Sequence, residues 1–138
     1  MVSRLVLGCG STGYAVSEKL AERDGSLLVL CEDERRVDTL RGENVRAELG
    51  DPGDASTLRS LADGVGVVFV ATDDPERNLD VLTAACEVFP EARIVAYAGR
   101  EASPAVVDRL RAGADSVVEP EAVVAERFVD AVASQTGM

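Results

Sequence analysis

Short apolar runs alternate along the chain with segments in which apolar residues recur every three to four positions. The runs predict strands at residues 3–7, 26–30, 46–49, 65–70, 93–98 and 116–118. The helical spacing predicts helices over residues 12–23, 34–41, 55–61, 75–88, 104–112 and about 121–133. Strands that are apolar at every position are typical of a parallel sheet covered by helices on both faces. The pattern therefore predicts an α/β fold, a doubly wound parallel six-stranded sheet, in a single domain over residues 1–138.

A glycine-rich turn of the form G-x-G-x-x-G joins the first predicted strand to the first helix, with glycines at Gly8, Gly10 and Gly13. Gly8 permits a tight turn, Gly10 leaves room for a phosphate, and Gly13 lets the helix pack close to the sheet. Backbone N–H groups of the first helical turn would then face the phosphate. Glu32 lies nineteen positions after Gly13, where its carboxylate can accept hydrogen bonds from ribose hydroxyls. Together these features predict a Rossmann-like nucleotide-binding site.

Polar residues follow two further strands of the predicted sheet. Ligands of such sheets bind outside the carboxyl ends of the strands, where the strand order reverses. Asp51 follows the third strand and could bind an adenine amino group, while Ala71, Thr72 and Asp73 would lie beside the pyrophosphate and the second ribose. The alternative for Asp51 and Thr72 is a turn or capping role. We interpret Asp74 as a helix cap.

The net charge of −11 argues against nucleic-acid binding through phosphates. Lys19 is the only lysine beside thirteen arginines and twenty-five acidic residues, a composition that resembles proteins of halophilic organisms. The alternative is an acidic bacterial protein without that adaptation. The longest uncharged apolar run is too short to cross a bilayer, and no cleavable leader is evident, so we expect a cytoplasmic protein without direct membrane insertion.

The three cysteines, Cys9, Cys31 and Cys86, are odd in number and include no C-x-x-C pair. This spacing argues against a disulfide framework and against a zinc site. We expect them to be small buried residues, with Cys9 and Cys31 close together at the ends of adjacent strands. A redox role for that pair is the less favoured alternative.

Beyond the glycine turn, the chain resembles the RCK family of potassium-transport regulatory domains, also called TrkA-N domains. The resemblance rests on five segments: the turn at residues 8–13, EDERRV at 32–37, GDP at 50–52, VATDD at 70–74 with Asn78-Leu79, and RAGAD at 111–115 leading to Pro120. It implies a doubly wound sheet, a homodimer, and binding of NAD(H), ATP, ADP or AMP as a signal without chemistry. On this resemblance the nucleotide contacts Gly8, Cys9, Gly10, Ser11, Thr12, Gly13, Cys31, Glu32, Asp33, Asp51, Ala71, Thr72 and Asp73.

Two positions depart from the family pattern. Ser11 stands where many members carry an arginine that reaches the terminal phosphates. Cys31 stands where many members carry the ribose-binding acid, so that role passes to Glu32. Because the loop then offers only backbone donors, we expect NAD(H) or AMP rather than ATP. Glu32 followed by Asp33, with no arginine to neutralise a 2′-phosphate, predicts exclusion of NADP.

The resemblance leaves two kinds of partner open: a potassium channel or transporter subunit, or a covalently attached effector domain such as a DHH-type phosphoesterase. The chain also ends before the C-terminal ligand-binding subdomain that usually follows in these regulators, as an excised piece would. For the homodimer we expect contacts from the fourth and fifth helices, with the alternative that these residues face the sheet. The candidates are Leu79, Val81, Leu82, Ala85, Val106, Val107 and Leu110.

A hydride-transferring oxidoreductase fragment is the alternative from a different class, since the same glycine turn opens many dehydrogenases. The chain contains no histidine, and neither Tyr14 nor Tyr97 has a lysine four residues later to lower its pKa. At this length we expect no second domain that could close over a nicotinamide. We therefore expect a regulatory domain and no enzyme. A third alternative is an interaction protein in which the glycine turn binds nothing.

Overall fold

Six strands and six helices alternate in the computed structural model, which describes residues 2–61 and 63–136. The strands are β1 Arg4–Leu7, β2 Leu27–Cys31, β3 Ala47–Leu49, β4 Val67–Val70, β5 Arg93–Tyr97 and β6 Ser116–Val118. The helices are α1 Ser11–Ala21, α2 Glu34–Gly42, α3 Ala55–Leu61, α4 Pro75–Val88, α5 Pro104–Gly113 and α6 Pro120–Thr136. Each predicted element is present, with ends that differ by no more than three residues.

All five strand pairs are parallel, and the strands lie in the order β3-β2-β1-β4-β5-β6. The order reverses between β1 and β4, because the chain crosses from β3 at one edge to β4 beside β1. A crevice at the carboxyl ends of β1 and β4 is therefore the expected ligand position in a doubly wound sheet. The predicted fold class is confirmed.

The sheet separates two apolar clusters, which explains why β2 and β4 are apolar at every position and why β1 is apolar after Arg4. In β1, Leu5 and Leu7 pack into the cluster shared with α4 and α5, whereas Val6 packs into the cluster shared with α2. Both faces of the strand are thus buried. Full burial of one such side chain contributes about 1.5–3 kcal/mol.

Capping residues fix where three helices begin. The Asp33 carboxylate accepts hydrogen bonds from the first turn of α2, and Asp74 does the same for α4. Ser103 caps α5, which ends at Gly113. Carboxylates at helix N-termini satisfy free N–H groups and interact favourably with the helix dipole. The cap predicted at Asp74 is confirmed.

The proposed dimer contacts on α4 and α5 do not form an exposed surface. Val81, Leu82, Ala85, Val107 and Leu110 are buried in the core. The remaining two candidates, Leu79 and Val106, are partly buried and pack against the same core. The alternative interpretation, that these residues face the sheet, is therefore correct.

Helix α6 instead carries most of the large apolar side chains that are exposed in the described part of the chain. Phe128 is 71% exposed and Val129 is 68% exposed, and Val123 and Val124 are also exposed. Within the described part of the chain, no helix combines the length and the apolar character that a membrane span requires.

Candidate functional site

A cleft of about 350 Å³ opens at the carboxyl ends of β1, β2 and β4, at the reversal of strand order. Residues from the glycine turn and from the segments after β2, β3 and β4 line it. They are Gly8, Cys9, Gly10, Cys31, Glu32, Asp33, Arg36, Pro52, Thr72, Asp73, Asp74 and Arg77.

The glycine turn has the geometry that its sequence predicts. Gly8 has φ of +100°, and a Cβ there would lie 2.9 Å from the backbone nitrogen of Thr72. At Gly13 a Cβ would lie 2.5 Å from the carbonyl oxygens of both Gly8 and Ala71. Side chains at these positions would therefore push α1 away from the ends of β1 and β4.

Gly10 makes room for Asp73. A Cβ on Gly10 would overlap the carboxylate of Asp73, which enters the turn from the end of β4. Asp73 Oδ2 accepts a hydrogen bond of 3.1 Å from the backbone nitrogen of Ser11, at the first residue of α1. An internal carboxylate thus lies at the helix N-terminus, the position at which such turns bind a phosphate.

Arg77 joins the second and third strand ends. Its Nη2 donates to Glu32 Oε1 and to Asp51 Oδ1. The backbone N–H of Gly53 and the guanidinium of Arg77 lower the pKa of Asp51, although partial burial opposes them. Burial alone would lower the pKa of Arg77, but the hydrogen bond to Asp51 and the two carboxylates raise it. Both groups therefore carry their charges at neutral pH.

Arg36 is the second cation of the cleft. Its Nη1 donates a hydrogen bond of 2.8 Å to the carbonyl oxygen of Cys9, and its Nε lies 3.8 Å from Asp33 Oδ2. The guanidinium also stacks 5.4 Å above the ring centre of Tyr14. Arg36 thereby ties the glycine turn to the first turn of α2.

A buried asparagine holds the end of β4. Asn78 Nδ2 donates to the carbonyl oxygens of Thr72 and Tyr97, at 3.0 and 2.9 Å, and its Oδ1 accepts from the Thr72 backbone N–H and hydroxyl. Every polar atom of this fully buried side chain has a partner. The network fixes Thr72 beside the cleft.

The expectation that Cys9 and Cys31 are buried and lie close together is confirmed, but the expectation for the cysteines was wrong in two other respects. Cys9 and Cys31 form a disulfide, with their Cα atoms 5.5 Å apart. Counting cysteines and their spacing could not reveal this pair, because parallel neighbours β1 and β2 bring together residues that are 22 positions apart. Cys86 is a free thiol on the exposed side of α4 and is not a buried residue.

Eight of the thirteen expected contact residues line the cleft: Gly8, Cys9, Gly10, Cys31, Glu32, Asp33, Thr72 and Asp73. The other five do not. Ser11 meets the cleft through its backbone N–H, Gly13 and Ala71 are buried beneath it, Asp51 is bound to Arg77, and Thr12 lines a separate depression beside α6.

Neither Arg36 nor Arg77 was predicted from the sequence, and the expectation that no arginine lies near Glu32 was wrong. Both arginines lie in the first turn of a helix that follows a strand of the site. In a parallel sheet such turns lie at the same edge as the strand ends, so a search of first-turn residues for cations would have found them.

Tyr14, one of the two tyrosines considered as a general acid or base, is not prepared for proton transfer. Tyr14 donates a hydrogen bond of 2.8 Å to Glu43 Oε1, and this bond, with the nearby acids, raises the pKa of Tyr14 to about 12. A phenol with such a pKa remains protonated at neutral pH. Among the described residues, no group of acidic or cysteine side chains is arranged to hold a metal ion.

Solved structures with a similar fold are found in several contexts. The NAD(P)-binding domain of an exopolyphosphatase-related protein from Archaeoglobus fulgidus is 26% identical, with a TM-score of 0.85 over 97% of this chain and 99% of that chain. The TrkA-N domain of inner membrane protein ybaL from Escherichia coli is 25% identical, with a TM-score of 0.76 over 93% and 94% of the two chains.

A third similar structure is GsuK bound to ADP, which is 27% identical with a TM-score of 0.74. The match covers 94% of this chain and 33% of that one. A search of curated protein sequences finds no significant match. The sequence model of the TrkA-N domain matches residues 4–120, and the chain therefore belongs to the TrkA-N domain family.

Proposed function

We propose that this domain binds NAD(H) or AMP in the cleft between β1 and β4, leaves the nucleotide chemically unchanged, and uses it as a signal to a partner protein. The observation that carries the proposal is the juxtaposition, at one cleft, of the first turn of α1, whose Ser11 N–H is bound by the Asp73 carboxylate, and the carboxylate of Glu32 at the ribose position. Ser11 N–H, at the start of α1, and Glu32, after β2, line or adjoin one cleft.

The charges of the cleft favour a nucleotide with few phosphates. Four carboxylates line it, from Glu32, Asp33, Asp73 and Asp74, against the guanidinium groups of Arg36 and Arg77. Both guanidinium groups already have carboxylate or carbonyl partners within the protein. A triphosphate would therefore bring more negative charge than the cleft can neutralise. NAD(H) and AMP carry less phosphate charge that the cleft would have to neutralise, so we favour them over the alternatives ADP and ATP.

The absence of a prepared acid or base supports regulation over catalysis. The chain has no histidine, and Tyr14 is bound to Glu43. The cleft is also open at the edge of the sheet, so water would reach a bound nicotinamide. An oxidoreductase fragment is the less favoured alternative.

Two kinds of effector fit the family. A potassium channel or transporter is the partner we favour, on the family resemblance and because a similar domain forms about one third of the chain of GsuK, which is described as a channel. A covalently attached phosphoesterase is the second candidate, favoured by the similarity to a domain of an exopolyphosphatase-related protein. In either case the partner has two conformational states. The nucleotide can shift the equilibrium between them only to the extent that it binds more tightly to the domain in one state than in the other.

We propose that the domain forms a homodimer, whose interface could change when a nucleotide binds and so transmit the signal. The exposed apolar side chains of α6, including Val124 and Phe128, are the surface that we assign to it. A second copy of the chain, which carries the same surface, is a self-complementary occupant. Helix α6 starts at Pro120, directly after β6, so a shift of the sheet edge would be passed to this helix.

The test is a binding assay that also recovers the ligand. Purified protein is incubated with NAD, NADH, AMP or ATP, binding is followed by displacement of a fluorescent dye, and the nucleotide is then analysed by chromatography. We expect NAD(H) or AMP to displace the dye and to be recovered intact. Conversion of the nucleotide would favour the oxidoreductase alternative, and no displacement by any nucleotide would favour an interaction protein with an unused glycine turn.

A further inference from the structure

Two cysteines lie in the parts of the cleft that the proposed function assigns to different portions of a nucleotide. Cys9 is the residue between Gly8 and Gly10 of the phosphate turn, and Cys31 is the last residue of β2, directly before Glu32. They form a disulfide with a Cα–Cα distance of 5.5 Å, inside the usual range for such bonds. Both side chains line the cleft.

We propose that Cys9 and Cys31 form a redox modification site that sets the nucleotide affinity of this domain, with the disulfide as the tighter-binding state and the dithiol as the weaker one. Its oxidant is a small-molecule disulfide and its reductant a small-molecule thiol. The regulatory part of this inference rests on the proposed nucleotide-binding function.

The oxidation is two successive thiol–disulfide exchanges. The Cys9 thiolate attacks one sulfur of the small-molecule disulfide, which forms a mixed disulfide and releases the first small thiol. The Cys31 thiolate then attacks the Cys9 sulfur of that mixed disulfide and expels the second small thiol. The cysteines lose two electrons to the small-molecule disulfide, and the two protons of their thiols pass to the two expelled thiolates.

The accessibility of the two sulfurs sets this order. Cys9 is 7% exposed and lies on the turn at the cleft surface, whereas Cys31 is 1% exposed. An incoming disulfide therefore meets Cys9 first. In the reduced state Cys31 also has a partner for its proton, because its Sγ lies 3.7 Å from the carbonyl oxygen of Asp33.

The bond matters for binding because it fixes the phosphate turn relative to the ribose carboxylate. Besides the disulfide, hydrogen bonds tie Gly8 and Cys9 to neighbouring elements: the Gly8 N–H donates to the Leu30 carbonyl at 2.9 Å, and Arg36 donates to the Cys9 carbonyl at 2.8 Å. Two unbonded thiols cannot stay at bonding distance. The packed apolar cluster beneath them blocks movement into the core, so separation of the sulfurs displaces the turn toward the cleft.

A displaced turn weakens binding through loss of preorganisation. The nucleotide must then restore the spacing between Gly10 and Glu32 at the cost of part of its own binding free energy. We expect the dissociation constant for NAD or AMP to rise at least fivefold when the disulfide is reduced.

Cys86 provides an internal control. This free thiol lies on α4, 3.6 Å from the carbonyl oxygen of Gly113, outside the cleft. Partial desolvation of its sulfur by neighbouring atoms, and secondarily the charge of Asp115, raises the pKa of the Cys86 thiol, which disfavours its thiolate. The Cys86→Ser variant removes it as a source of disulfides between molecules and serves as the background for the test.

The experiment treats Cys86→Ser protein either with 2-hydroxyethyl disulfide or with an excess of 2-mercaptoethanol, removes the reagent, and measures the intact mass, the linked peptides and the affinity for NAD and AMP. We expect the oxidised sample to be about 2 Da lighter, the mass of two hydrogens, with Cys9 linked to Cys31. We also expect the oxidised sample to bind at least fivefold more tightly. The further variants Cys9→Ser and Cys31→Ser should show the weaker affinity under both conditions.

Three results would overturn the inference. If no Cys9–Cys31 peptide forms under oxidation, the redox site does not exist. If the peptide forms but the affinities agree within twofold, or if the reduced form binds more tightly, the regulatory role fails while the proposed nucleotide-binding function stands. If the disulfide forms but neither state binds any nucleotide, the proposed function fails together with the regulatory role. Thermal unfolding of each serine variant checks that it is folded.

Discussion

The Oδ2 atom of Asp73 lies 3.1 Å from the backbone nitrogen of Ser11 and accepts its hydrogen bond. A residue from the end of β4 thus satisfies the first N–H group of α1, where a nucleotide phosphate would otherwise bind. At the position proposed for the ribose, the guanidinium of Arg77 likewise occupies the Glu32 carboxylate, to which it donates a hydrogen bond. The cleft therefore satisfies these charges with internal contacts, which a nucleotide bound as we propose would have to replace.

The Asp73→Asn variant should bind NAD and AMP more tightly than the wild type. Asparagine keeps an oxygen that can accept from Ser11 N–H, but it removes a negative charge beside the phosphates. We expect a gain of about fivefold at low ionic strength, which diminishes as salt screens the charge. Calorimetry at two salt concentrations measures it, with Asp108→Asn, an exposed acid on α5, as control. Equal or weaker binding by Asp73→Asn would mean that this carboxylate assists the ligand.

The Arg77→Met variant should have a lower free energy of unfolding than the wild type at neutral pH, and this difference should become smaller at acid pH. The pKa of Asp51 is lowered in the folded protein, so its ionisation stabilises the fold above the unfolded value of about 4, and the effect is lost as pH falls through the folded value. Because Arg77 supplies part of that lowering and the pair is half-exposed, we expect a difference of about 0.5 kcal/mol at pH 7.

Urea unfolding at pH 7 and at several lower values measures the pH dependence of Arg77→Met. Arg109→Met, an exposed arginine on α5, is the matched control and should show no such dependence. A difference between wild type and Arg77→Met that is constant across this range would show that the variant acts through packing instead.

Wild-type protein should bind NAD at least tenfold more tightly than NADP. A 2′-phosphate would lie beside Glu32, and the nearest cation, Arg77, already interacts with two carboxylates. In the Glu32→Gln variant the ratio of the dissociation constants of NADP and NAD should fall. NAD loses the carboxylate that accepts from its ribose, and Arg77 loses one anionic partner and can interact with the 2′-phosphate of NADP. Competition titrations at low salt compare the two nucleotides. Equal wild-type affinities would exclude Glu32 as the discriminating residue.

The Phe128→Asp variant should reduce dimerisation. Phe128 is the most exposed of the apolar side chains on α6, and a buried carboxylate at a self-complementary surface would face its own copy. Light scattering at high protein concentration measures the mass. Leu49→Asp provides the control, since Leu49 is an exposed apolar residue on β3. A wild-type protein that is monomeric under all conditions would contradict the assigned interface.

The sequence was sufficient to predict the fold because its local signals agree with one another. Continuous apolar strands, helical spacing and caps such as Asp74 all specify the same six β–α units. Only the ends of elements were misplaced, for example that of α6, which extends to Thr136. Helix ends depend on the cap and on local hydrogen bonds, which apolar periodicity does not encode.

The site was less predictable, because it depends on contacts between residues far apart in sequence. No residue close to Asp51 in the sequence indicates that its carboxylate is paired with Arg77, which lies 26 residues later. The pairing of Cys9 with Cys31 likewise follows from the register of β1 and β2. By contrast, the roles of Gly8 and Gly13 were readable, since they arise from the conformation of a local turn.

The most direct test of the central claim is calorimetric titration of NAD and AMP into the wild type and two glycine variants. Gly10→Val places a branched side chain against Asp73 and the phosphate position, whereas a Cβ at Gly42, at the end of α2, meets no described atom within 4 Å. We predict one site per chain in the wild type and in Gly42→Val, and a loss of affinity of at least tenfold in Gly10→Val. Undiminished binding by a folded Gly10→Val protein would place the nucleotide elsewhere and contradict the account.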